Sequence, residues 1–114
     1  MSSNIDGEVY IDVEDALKRI GGNKDLYKRL LGRFVDGNDM TTLEGVIQSG
    51  DTEEAARLSH TIKGVSSNLS LVKIAEASIA LEHSLKTSGD YSAQYDALKQ
   101  AYDVTLTKIA EIIT

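Results

Sequence analysis

The chain has 114 residues, a formal net charge of −6, and no cysteine, proline or tryptophan. Its length suits one domain of roughly 100–150 residues, able to bury close to two-thirds of its unfolded surface without a disulfide or structural metal. The missing thiols exclude thiolate chemistry and a zinc-finger framework, and the acidic balance disfavours nucleic acid and anionic lipid as partners.

In chain order, residues 1–11 read as a poorly ordered N-terminal extension of a single domain spanning 1–114. Met1 to Asp6 lacks the basic flank and apolar stretch of a secretory leader. Asp12 then caps a short helix with Val13, Ala16, Leu17 and Ile20 on one face, which Gly21-Gly22 ends. Asn23 caps a second segment, in which Leu26, Tyr27, Leu30, Leu31 and Phe34 recur at helical spacing. The stretch from Asp36 to Asp39 reads as a break or kink, so this segment and the weaker one after it, with Met40, Leu43, Val46 and Ile47, are candidates for one long kinked helix.

The clearest boundary is Asp51-Thr52-Glu53-Glu54, which reads as a capping box opening a helix to about Leu69. Ser70 is placed to cap the next helix, whose Leu71, Ile74, Ser78, Leu81 and Leu85 form a narrow seam. Ser88-Gly89-Asp90 reads as a turn. A last helix carries Tyr95, Leu98, Tyr102, Leu106, Ile109 and Ile112. No segment alternates with period two for long enough to suggest a sheet. Such helices with short connections bury their faces as an all-α, antiparallel up-down four-helix bundle, with the short first helix as an extra element across one end. No apolar run approaches the ~20 residues needed to span a bilayer, and a soluble, cytoplasmic, monomeric protein is expected.

Two histidines are present, His60 and His83. On a wheel advancing roughly 100° per residue, Ala55, Leu58, Ile62, Val65 and Leu69 cluster within about one quadrant, and His60 lies nearly opposite. It is therefore expected to face solvent or a partner. Lys63, Gly64 and Ser67 follow it on the same side, and Ala56 and Arg57 precede it. A glycine within a helix costs roughly 1 kcal/mol relative to alanine. Its place on the exposed side points to close approach by another molecule rather than tight helix packing. Neutral imidazole, with an unperturbed pKa of ~6.5, offers a nucleophilic ring nitrogen at neutral pH. Phosphoryl transfer asks for in-line positioning and nearby positive charge, which Lys63 and Arg57 supply. His83 has no comparable neighbourhood and reads as an exposed helix residue. The histidine pair falls short of a metal site, since structural zinc takes four ligands.

The run Leu58-Ser59-His60-Thr61-Ile62-Lys63-Gly64 resembles the His-x-x-Lys-Gly signature of histidine-containing phosphotransfer (HPt) domains of two-component phosphorelays. Ala16 to Asn23, followed by Leu26-Tyr27-Lys28-Arg29-Leu30-Leu31 and Phe34, is similar to the opening stretch of that family, and Gly50-Asp51 stands where such domains turn into the histidine helix. The resemblance covers roughly residues 12–86. It implies that His60 is phosphorylated, that Lys63 steadies the phosphoryl group, and that Gly64 lets a partner's aspartyl phosphate come close. It further implies that Glu82, on the adjacent helix, accepts a hydrogen bond from Nδ1–H of His60, so that Nε2 attacks. A histidine opposite the core is badly placed to reach that helix, so this implication requires a rotated helix or a bent side chain. Ser59 departs from the small apolar residue often found there, and Ser70-Leu71 from a frequent Gly-Ala.

The expected activity is that of a phosphoryl carrier rather than an enzyme. It takes the group from a receiver-domain aspartate and passes it to another. The expected partners are response-regulator receivers and a sensor or hybrid histidine kinase. No P-loop or kinase-type glycine-rich loop is visible. No cofactor is expected on this chain, and the receiver brings the Mg²⁺. The alternative is a helical adaptor that docks receivers or kinases without taking phosphate.

Overall fold

The computed structural model describes residues 2–5, 8–87 and 89–114; Asp6, Gly7 and Ser88, the first residue of the expected turn, lie outside them. Two strands, β1 (Ser2–Ile5) and β2 (Glu8–Asp12), precede six helices: α1 (Val13–Arg19), α2 (Lys24–Asp36), α3 (Asp39–Ser49), α4 (Thr52–Asn68), α5 (Val72–Lys86) and α6 (Ser92–Ile113).

The strands correct the expectation that no sheet forms. They pair antiparallel, with an irregularity between Ser3 and Asn4. β2 lies against α5 and α6, Ile11 is fully buried, and the amide of Asp12 donates to the carbonyl of Ser70 at 2.9 Å. Residues 9–11 thus belong to the packed body rather than to an extension. Ile11 in the core, Tyr10 packed against it and the Asp12–Ser70 bond tie this short strand to the helices.

Side-chain caps set the helix starts where the sequence placed them. Asp12 accepts from the amide of Asp15 at 3.0 Å, Asn23 from Leu26 at 3.0 Å, and Asp51 from Glu54 at 3.1 Å. The capping box is one-sided, because the Glu54 carboxylate turns to Arg57 instead of reaching back. α2 and α3 are separate helices. The extended backbone of Gly37 (φ −70°, ψ 161°) takes the chain out of α2, and its amide closes on the carbonyls of Arg33 and Phe34.

α4 packs on α5, α5 on α6, α3 on α4 and α2 on α6, around a core that includes Leu31, Leu43, Ile62, Ile74, Leu81, Leu98 and Ile109. Tyr27 of α2 is buried, and its hydroxyl donates to the carbonyl of Leu69 at the end of α4 (2.8 Å). Burial pushes that phenol up to about 12, so it remains a donor across the working pH range. The α4–α5 junction differs from expectation. Ser70 does not cap α5; it sits at φ 57° and its hydroxyl donates to Asp15 at 2.7 Å. α5 starts from Leu71, which makes no side-chain cap.

Candidate functional site

The orientation of α4 decides what His60 can reach. Its buried side consists of Ala55, Ala56, Leu58, Ser59, Ile62 and Ser66, while Val65 is 38 % exposed. Replacing Val65 by the two serines turns the buried face by about 40° towards His60, at roughly 100° per residue. Serine fits there because each hydroxyl is satisfied within the helix: Ser59 donates to the carbonyl of Ala55 at 2.8 Å and Ser66 to Ile62 at 2.7 Å. Ser78 on α5 does the same towards Ile74 at 2.7 Å. The departure at Ser59 is therefore a small, internally bonded side chain in the packed part of α4.

After this rotation His60 stands at the edge of the α4–α5 groove. Its side chain is 64 % exposed, yet Nδ1 lies 3.3 Å from Oε1 of Glu82, whose own side chain is only 16 % exposed. The rotated helix removes the conflict between an accessible ring and a reachable neighbour. An ionised carboxylate only accepts hydrogen bonds, so in a neutral imidazole this contact favours the proton on Nδ1 and the lone pair on Nε2. Glu82 is kept ionised by its surroundings. Lys86 Nζ, 2.9 Å from Oε2, is the largest cause holding its carboxyl below the usual value; burial opposes this and the His60 contact adds to it.

A concavity of about 600 Å³ lies beside the ring, lined by Ala56, Arg57, His60, Glu82, Leu85 and Lys86 among others, all from α4 and α5. Arg57 reaches it but is engaged by Glu54 through contacts of 2.7 and 2.6 Å, each of which favours the charged form of the other. Lys63 is half-buried on α4, outside this lining, and no ion pair among the described residues engages it. Gly64 has open space where a Cβ would stand: beyond its chain neighbours and the nearby backbone of its own helix, no atom of the described residues lies within 4 Å. Helix packing therefore does not account for that glycine. Ser67 is exposed two turns along α4, and His83 is exposed near the end of α5.

Sequence reasoning missed Lys86. The only signal for it was its i+4 spacing from Glu82, the ordinary spacing of a helical ion pair. It also missed a second concavity of about 600 Å³ between α2 and α4. Ile62 and Leu69 lie in its lining with Phe34, Met40, Val65 and Tyr102, and the Phe34 and Tyr102 rings stand 5.7 Å apart.

The body is a bundle of helices that presents an exposed imidazole beside a carboxylate from the next helix. The Hpt domain model matches residues 30–111, which is most of the chain. The chain belongs to the Hpt domain family, whose members serve histidine phosphotransfer in phosphorelays as carriers rather than kinases. The match starts within α2, at Leu30, and so takes in only the end of the opening stretch, and it continues into α6, past residue 86 where the sequence resemblance stops. No curated protein and no solved structure matches the chain. No helix among the described residues is long and apolar enough to cross a membrane.

Proposed function

We propose that this chain is a phosphorelay intermediate that carries the phosphoryl group on Nε2 of His60. The observation that carries the reading is an exposed ring whose Nδ1 faces an ionised Glu82 in a member of the Hpt family. The Nε2 lone pair forms a bond to phosphorus as the P–O bond to a receiver aspartate breaks, and the bonding electrons leave with the aspartate carboxylate. Nδ1 keeps its proton throughout, held towards Glu82. The return step is the reverse, with an aspartate oxygen of a second receiver as nucleophile.

In this reading Lys63, which has no ion-pair partner to give up among the described residues, lies against the equatorial phosphoryl oxygens. Arg57 is a supporting cation only when Glu54 releases it. The bare backbone at Gly64 admits the receiver's acyl phosphate. Ser67 and Val65 extend the landing face towards the concavity between α2 and α4. The receiver brings the Mg²⁺. The helices compose an antiparallel up-down bundle of α2 with α3, α4, α5 and α6, acting as a cytoplasmic monomer, and a sensor or hybrid kinase stands upstream.

The test is incubation with an isotopically phosphorylated receiver domain. The wild type is expected to gain label that is acid-labile and base-stable, and His60→Gln is expected to bind the receiver and gain none. A wild type that binds without taking label establishes the adaptor alternative instead.

A further inference from the structure

The carboxylate of Glu82 has two oxygens and two partners on opposite sides. Oε1 faces Nδ1 of His60 at 3.3 Å, and Oε2 takes Lys86 Nζ at 2.9 Å. We propose that Lys86 is a positioning residue for phosphoryl transfer, which by occupying Oε2 fixes the Glu82 carboxylate with Oε1 on the imidazole and so holds His60 in the tautomer that leaves Nε2 nucleophilic. The inference rests on the carrier reading of His60.

Three features of the geometry support it. Nothing in an exposed imidazole selects Nδ1 as the protonated nitrogen; a partner must do so, and Glu82 is the partner His60 has. At 3.3 Å that contact is slightly longer than the usual N–H···O range of roughly 2.7–3.2 Å, so it tolerates little rotation of the carboxylate before it is lost. The shorter contact, to Lys86, is the one that sets the rotation. Glu82 and Lys86 are also one turn apart on the same helix, so the pair forms without any change in the α4–α5 spacing. The other charged side chains lining the concavity, Glu53 and Arg57, belong to α4, and Arg57 is already taken by Glu54.

During transfer the positioned carboxylate has a second effect. When Nε2 gains phosphorus while Nδ1 keeps its proton, positive charge spreads over the ring, and an ionised Glu82 lies against it. Lys86 keeps Glu82 in that ionised, accepting form.

The experiment uses the full chain as wild type, Lys86→Met, Lys86→Arg, Glu82→Gln and the Lys86→Met/Glu82→Gln pair. Imidazole ¹⁵N NMR reads the tautomer of His60, and phosphohistidine formation from phosphoramidate reads transfer. The wild-type ring is expected to be mainly Nδ1–H. Lys86→Met is expected to raise the Nε2–H share and slow transfer by about two- to fivefold, the scale of one exposed ion pair. Lys86→Arg is expected to restore both. In the Glu82→Gln background, Lys86→Met is expected to change neither. A tautomer ratio unmoved by Lys86→Met overturns the proposal, as does an equal effect with and without the carboxylate. A tautomer that shifts as expected, in a chain where no variant and no wild type takes phosphate, defeats the carrier reading instead.

Discussion

Gly64 separates two demands that usually coincide at a single residue. Stability asks for alanine there, since helical glycine costs roughly 1 kcal/mol and the space for a methyl group is open. Docking asks for a bare backbone. Gly64→Ala is thus expected to raise the unfolding free energy by about 0.5–1 kcal/mol in urea denaturation, while phosphoryl uptake from a receiver falls at least severalfold. A variant that is stabilised and transfers normally removes Gly64 from the docking face. That His60, Lys63 and Gly64 share one side of a helix was legible in the sequence, because their spacing depends only on helix geometry. Lys86 was not, because surface Glu–Lys pairs one turn apart are common and carry no mark of what else the carboxylate touches.

At the scale of an element, the α4–α5 junction shows how a local choice is fixed from elsewhere. Ser70 occupies left-handed backbone (φ 57°), a conformation that favours glycine. Its hydroxyl compensates with a 2.7 Å bond to Asp15, and its carbonyl receives the amide of Asp12, so the junction is also where α1 and β2 attach. Ser70→Ala keeps the strain and loses the bond, for an expected loss of about 1–2 kcal/mol. Ser70→Gly loses the bond but relieves roughly 1–2 kcal/mol of strain, and is expected to unfold close to wild type. Chemical denaturation of the two variants side by side checks the order; alanine as stable as glycine would show that the left-handed conformation carries no cost here. Reading Ser70 as an N-cap failed because serine is common at caps, and nothing local revealed Asp15 as its partner. The α4 wheel put Ala55, Leu58, Ile62 and Leu69 in the core and His60 outside it, as found, but misplaced Val65 and missed Ser59 and Ser66. Val65 is more hydrophobic than Ser59 or Ser66, but serines bonded to their own helix pack like small apolar residues. The strands β1 and β2 left little signal, because the residues that form them are few and mixed in polarity. The caps at Asp12, Asn23 and Asp51 were readable because capping depends only on residues within one turn.

For the whole molecule the question is which electrostatic effect dominates on acidification. The net charge of −6 means that protonating carboxylates relieves a general repulsion, which favours the fold at lower pH. Against it stand Asp15, Glu54, Glu82 and Asp90, each held below its ordinary value by specific partners: chiefly Ser70 and Arg19, Arg57, Lys86, and the Ser92 amide. Groups whose folded pKa is depressed add stability above the unfolded pKa, and that stability disappears as pH falls through the folded value. With unfolded values of 3.8 for Asp and 4.5 for Glu, their contribution is intact above about pH 5 and is lost below it. The repulsion is spread along a body 41 Å long, and at physiological ionic strength charges separated by more than about 8 Å are largely screened. The four partnered carboxylates act at contact distance, so the local effect dominates. Thermal unfolding at physiological salt is expected to give a flat midpoint from pH 8 to 5 and a falling one below pH 4.5. Glu82→Gln is expected to shallow that fall, because its amide has no proton to gain. A midpoint that rises between pH 5 and 3.5 would mean that diffuse repulsion governs this fold, and that the pairs around Arg19, Arg57 and Lys86 orient side chains without stabilising the protein.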